Sequence, residues 1–221
     1  MLQAWRQLSF IHWSYDPAEI RPLVPSELEV DTFDGAAWVG LTPFLLTLRP
    51  PFLPPLPGLA PAPETNVRTY VRDRHGRRGI LFFSLDLTVL WAVVGARATF
   101  QLPYMWSEMT VRPGSQRIDY SGRRRLPRGG ASYALAVAPG RQRPVNELEN
   151  FLTARWRLYT KIAGRLCEVR VEHERWPLAP ARLLHLEEDL LQSVGIPAPR
   201  SNALAHFSPG VSVRVGFPQP V

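Results

Sequence analysis

Turn chemistry cuts this chain into pieces too short for long helices, and that constrains its fold more than any other feature. Asp34-Gly35 separates Leu28 to Phe33 from Ala36 to Leu48, His75-Gly76 separates Glu64 to Arg72 from Gly79 to Leu87, and Ala163-Gly164 separates Arg155 to Ile162 from Arg165 to Glu174. In each case a short turn signal lies between runs rich in aliphatic, β-branched and aromatic residues, which is the pattern of an antiparallel hairpin. Further strands are expected at Trp5 to Trp13, Met105 to Arg112, Gln116 to Arg123, Ala131 to Val137, Ala203 to Phe207 and Val211 to Phe217. Helices are few and short. Asp16-Pro17-Ala18-Glu19 offers an N-cap, a proline at the first helical position and a capping-box glutamate, so a helix should run to about Val24, where Pro25 stops it. A second helix is expected over Asp86 to Thr99 and a third near Asn146 to Leu152. No period of roughly 20 to 50 residues repeats, which removes solenoids and propellers. The expected class is α+β, a strongly bent antiparallel sheet or barrel with a few short helices.

Seven of the fourteen residues from Pro50 to Pro63 are proline. Such a density excludes helix and central strand and forces an extended crossover. The segment could be a linker, but strand patterns on both sides belong to one sheet system, so it reads as a long loop inside a single domain spanning residues 1–221, with its role as a cover over a pocket left open. A length of 221 residues suits one β-rich domain.

The formal net charge is +7, with Lys161 the only lysine among 26 basic residues. Cations gathered on one face would indicate nucleic acid or anionic membrane. Here the clusters are short: Arg72, Arg74, Arg77 and Arg78 around His75-Gly76, and Arg123 to Arg125 with Arg128 before Gly129-Gly130. They flank turns and read as solvated hairpin ends, with no nucleic-acid motif beside them. The expected partner is therefore a small molecule, not nucleic acid or membrane, and self-association stays open. A lone Cys167 gives no disulfide framework and fits a reducing compartment. Met1 to Phe10, interrupted by Arg6, has no signal-peptide core. Leu87 to Ala96, interrupted by Thr88 and Gly95, falls far short of the roughly 20 residues of a membrane helix, so the expected location is cytoplasmic. His12, His185, His206 and Cys167 show no metal-ligand spacing, and phosphate-loop, nucleophile-elbow, dinucleotide and Cys-x-x-Cys signatures are missing. Neither a metal nor a cofactor is expected.

Period-two alternation puts Glu64, Asn66, Arg68, Tyr70 and Arg72 on one side of a strand and Thr65, Val67, Thr69 and Val71 on the other. The first side either faces water or lines an interior wide enough for a ligand. Glu64 and Arg68 would lie roughly 13 Å apart along a regular strand, so they would grip different parts of a bound molecule. His173 shares a strand face with Val169 and Val171, as a hydrogen-bonded core residue or as a pocket acid or base.

A series of segments, in order, carries a family resemblance: Phe10-Ile11-His12-Trp13, Leu23-Val24-Pro25, Asp31 to Gly40, Glu64 to Val71, Leu102-Pro103-Tyr104 and His173 to Leu178. Together they resemble the YqjF-like domain-of-unknown-function family, placed in the acetoacetate decarboxylase-like superfamily. That resemblance implies a bent antiparallel sheet around a ligand cavity. It also aligns Gly95-Ala96-Arg97 and Pro103-Tyr104-Met105 with the decarboxylase motif, so Tyr104 stands where the Schiff-base lysine would be. A phenol cannot form an imine, and Lys161, beside the Ala163-Gly164 turn, is expected to be exposed. The chain is thus expected not to be an acetoacetate decarboxylase.

Three functions follow. The first is a cavity for a small organic acid, with Glu64, Asn66, Arg68, Tyr70, Arg97, Tyr104 and His173 as pocket candidates, arginine being suited to a carboxylate by its fixed fork. The second is an imine-independent lyase, hydratase or isomerase, with Glu64 or His173 as base and Tyr104 as acid or oxyanion donor. The third is an interaction module built on the arginine-rich turns.

Overall fold

The computed structural model describes residues 1–49, 61–125 and 130–221; the expected loop over Pro50 to Pro63 lies almost wholly outside them. Among the described residues thirteen strands form one sheet: β1 (Leu2–Tyr15), β2 (Leu28–Val30), β3 (Ala37–Arg49), β4 (Ala62–Asp73), β5 (Arg78–Leu87), β6 (Tyr104–Pro113), β7 (Ile118–Arg124), β8 (Ser132–Pro139), β9 (Arg157–Ile162), β10 (Arg165–His173), β11 (Ala179–Glu188), β12 (Leu204–Val215) and β13 (Gln219–Pro220). Their order is β13-β10-β9-β5-β6-β7-β8-β11-β12-β1-β3-β4-β2. Two further pairings, β4 with β5 and β10 with β12, join strands far apart in that order, so the strongly curved sheet turns back on itself.

That curvature creates two apolar cores. One packs Ile11, Val67, Val71, Tyr120, Leu135 and Val137. The other packs Leu8, Phe10, Tyr70, Leu158, Val169 and Val213. Strands β1 and β4 send alternate residues into each, so neither face of β4 meets water along most of its length. In β1 the pairing register slips between Arg6 and Ile11, and Gln7 adopts a positive φ of 51°. The slip changes face parity, bringing Trp5, Leu8 and Phe10 to the same core.

Most pairings are antiparallel, as expected from the hairpin turns. Strand β5 is the exception, running parallel to both β6 and β9. A parallel neighbour needs a crossover, and α2 (Leu90–Thr99), close to the expected helix, supplies it between β5 and β6. The remaining helices among the described residues are α1 (Pro17–Ile20), capped by Asp16 and continued by a 3-10 turn over Arg21–Leu23, α3 (Glu147–Thr153), with a complete capping box between Asn146 and Glu149, and α4 (Leu190–Ser193).

Three expectations need correction. Asp34 and Gly35 do form a tight turn, with φ values of 50° and 75°, but it closes only the Phe33 to Ala36 bridge; β2 pairs with β4 instead of β3. The two final strands are one continuous strand, β12, because Gly210 passes through a φ of 120° without leaving the sheet. Strand β11 was unmarked in the sequence. Its burial alternates weakly, since it crosses from β8 to β12 and gives neither core a clean face.

The candidate cavity

Inside the second core, a cavity of about 110 Å³ lies between β1, β4, β5, β9, β10 and β12, with Ala96 of α2 and Phe100, just past its end, closing one side. Glu64, Arg68, Tyr104 and His173 all line it. Asn66 and Tyr70 are buried beside it but outside its wall. Tyr70 is held by His12, whose Nε2 lies 2.6 Å from the phenol oxygen. Arg97 is the clearest departure: it is exposed and its Nη1 donates to the backbone carbonyl of Tyr104 at 2.7 Å, so it steadies the segment instead of entering the cavity.

Glu64 is 5% exposed and accepts a hydrogen bond from the Tyr104 hydroxyl at 3.2 Å. Burial lifts its carboxyl to about 8, against a smaller downward pull from Tyr104. The acid is therefore mostly protonated at neutral pH. Burial, reinforced by Glu64, also holds the Tyr104 phenol well above its ordinary range.

Arg68 is 8% exposed and its guanidinium lies over the Phe10 ring at 5.2 Å. Its Nε has no hydrogen-bond partner, and among the described residues no carboxylate reaches it at ion-pair distance. Residues 50–60 and 126–129 contain no Asp or Glu that could supply one. A buried charge without a partner is costly, so the fold carries an unbalanced cation here. The next two cavity-lining arginines differ. Arg155 pairs with buried Asp31 at 2.6 Å and leaves only its Nη2 unpartnered, while the Arg157 Nε lies 3.3 Å from Glu168, within ion-pair distance but without hydrogen-bond geometry.

His173 has both ring nitrogens near carbonyl oxygens, Nδ1 at 2.6 Å from Glu174 and Nε2 at 3.1 Å from Arg155. A neutral imidazole can donate to only one of them. Burial lowers its pKa, opposed by those two carbonyls and assisted by Arg68. The ring sits 5.1 Å from Trp176 and 6.3 Å from Trp5, centroid to centroid. Arg155, Trp5 and Phe82 line the cavity too, and no pattern in the sequence singles them out; Trp176, also in the wall, falls within the His173 to Leu178 segment.

Other candidates lie elsewhere. Lys161 projects from β9 to pair with Glu27 at 2.7 Å and is not part of the cavity wall. The arginine-rich turns are largely matched by acids: Arg72 with Glu29, Arg77 with Asp73 and Glu168, Arg78 with Asp31, and Arg125 with Glu108. Arg124 corrects the expectation of a solvated hairpin end. It is buried and bidentate to Asp86, with Nε and Nη2 each 2.8 Å from a carboxylate oxygen. Among the described residues no three His, Cys, Asp or Glu side chains converge as metal ligands, and no helix is long and apolar enough to cross a membrane.

This strongly curved, mostly antiparallel sheet has the acetoacetate decarboxylase-like fold of the solved structures it superposes on. An acetoacetate decarboxylase-like enzyme from Sphingomonas wittichii RW1 superposes with a TM-score of 0.69 at 16% identity, covering 100% of this chain and 92% of that one. The enduracididine biosynthesis enzyme MppR, complexed with the condensation product of pyruvate and imidazole 4-carboxaldehyde, superposes with a TM-score of 0.71 at 13% identity, covering 99% and 88%. At such identities the likeness concerns the fold alone. The uncharacterised protein YqjF of Bacillus subtilis (strain 168) is 37% identical over 211 residues, 94% of this chain and 87% of that protein. Residues 2–212 match the model of the DUF2071 family of uncharacterised conserved proteins, and the chain belongs to that family.

Proposed function

We propose that this protein binds a small organic acid in the cavity, its carboxylate held by Arg68. The observation that carries this reading is the buried Arg68 guanidinium with no carboxylate partner. An anionic ligand would balance that charge, and an arginine fork would grip a carboxylate more firmly than a point charge would. Glu64, being mostly protonated, does not neutralise Arg68 and can donate a hydrogen bond to a ligand oxygen. Trp5 and Trp176 in the cavity wall provide the signal for a test. Titration with small carboxylates should change tryptophan fluorescence saturably in the wild type, and Arg68→Gln should weaken binding at least tenfold. An unchanged affinity in a folded Arg68→Gln protein would overturn the assignment.

A second reading, proton transfer catalysis without an imine, draws on one further observation. A carboxyl near pH 8 in contact with a phenol is poised to exchange protons near neutrality. Its test is exchange of acidic C–H protons of a bound oxo acid for deuterium, followed by NMR, which Glu64→Gln should abolish. Exchange at the wild-type rate in that variant would remove Glu64 from the role. The arginine-rich turns support an interaction module less well, because most of their charges are already paired.

A further inference from the structure

Resting on the carboxylate-binding reading, we infer that the ligand is a monocarboxylate with a short apolar tail, of the size of a five- or six-carbon branched acid. Three features of the cavity lead there.

The first is charge. Of the guanidinium groups in the wall, Arg155 contacts Asp31 and Arg157 lies 3.3 Å from Glu168, whereas Arg68 has no carboxylate at ion-pair distance among the described residues and is the group a single negative charge would balance. A second carboxylate on the ligand would have to compete for Arg155 or Arg157 with the acids already beside them.

The second is the rest of the wall. Ile80, Phe82, Leu85, Phe100 and Leu102 supply much of the apolar wall that a ligand held at Arg68 would meet. Two of the neutral polar side chains in the wall already have partners: the Gln3 Oε1 accepts from the Trp5 indole at 2.6 Å, and the Thr153 hydroxyl donates to the Glu149 carbonyl at 2.6 Å. A charged or strongly polar tail would lose its hydration against this surface without compensation, whereas methyl and methylene groups gain from leaving water.

The third is size. One water needs roughly 10–15 Å³ of such space, so a cavity of about 110 Å³ holds several water-sized groups. That is the scale of a molecule with roughly eight non-hydrogen atoms. Larger aromatic acids would have to displace the walls.

The test is calorimetric titration of the full-length protein at pH 6.5 with 4-methylpentanoate, with glutarate as a diacid of similar size, and with 4-methylpentan-1-ol as the uncharged counterpart. The monocarboxylate should bind at least tenfold more tightly than either. Arg68→Gln, checked for folding by circular dichroism, should weaken the monocarboxylate tenfold or more and leave the alcohol unchanged. Should that variant not fold, the affinity order of the three ligands on the wild type decides the matter. Glutarate binding as tightly as 4-methylpentanoate would overturn the apolar-tail inference while leaving the carboxylate site standing. If neither acid binds, or the alcohol matches its acid, both the inference and the carboxylate reading fail.

Discussion

Replacing Glu64 by glutamine tests whether burial keeps this carboxyl protonated. The folded group titrates at about 8 against an ordinary value of 4.5, so between those limits the folded chain holds a proton that the unfolded chain has released. Stability must therefore fall as pH rises through that window. Below about pH 4.5 both states are protonated and the group costs nothing. At pH 7 the cost is about 3 kcal/mol, at about 1.4 kcal/mol per pH unit, and beyond pH 8 it levels near about 5 kcal/mol. Glutamine preserves the shape and an oxygen for the Tyr104 hydroxyl but cannot ionise. Urea unfolding of both proteins at pH 5, 6, 7 and 8 isolates the effect, since other titrating groups cancel in the difference. The variant should exceed the wild type by under about 1 kcal/mol at pH 5 and by about 3 kcal/mol at pH 7. A difference that does not change with pH would refute the reasoning, because only an ionisation missing from the variant gives it a slope.

Carboxylate affinity should fall as pH rises through about 8, since ionised Glu64 adds a negative charge to the cavity; calorimetry from pH 6 to 9 showing a constant or rising affinity would contradict this. Arg124→Met strands the buried Asp86 carboxylate and should cost about 3–5 kcal/mol in urea unfolding, while a loss below about 1 kcal/mol would mean that the pair is effectively solvated. Gly210→Ala would set a Cβ 1.9 Å from the Trp5 carbonyl oxygen, at a φ of 120°. It should lose about 3 kcal/mol or more, and a melting temperature equal to the wild type would show that β12 runs otherwise. Borohydride with acetoacetate should trap no stoichiometric adduct, and Lys161→Arg should leave the melting temperature close to that of the wild type, its partner Glu27 being a surface acid. An adduct mapped to Lys161 would restore imine chemistry.

The local features of this fold were legible in its residues because they depend on neighbours in sequence. The His75-Gly76 and Ala163-Gly164 turns, the Asp16 cap and the Asn146 helix start all stand where their residues put them. So does the alternation along β4 that turns Glu64 and Arg68 to one side. What only the tertiary structure decided is which distant strands meet. The β4–β5 and β10–β12 pairings curve the sheet back and bury both faces of β4, which no periodicity in β4 alone distinguishes from one buried face and one wet one. The partner of β2 depends on the same closure, and so does Arg124, which leaves the solvent only because Asp86 waits 38 residues away. Arg97 illustrates the limit within a single helix. Ala96 and Phe100, one turn apart, face the cavity, and a residue about 100° further round must point elsewhere. Local chemistry sets turns, caps and faces, whereas a cavity is assembled from strands that are remote in sequence, and its membership is a property of their closure.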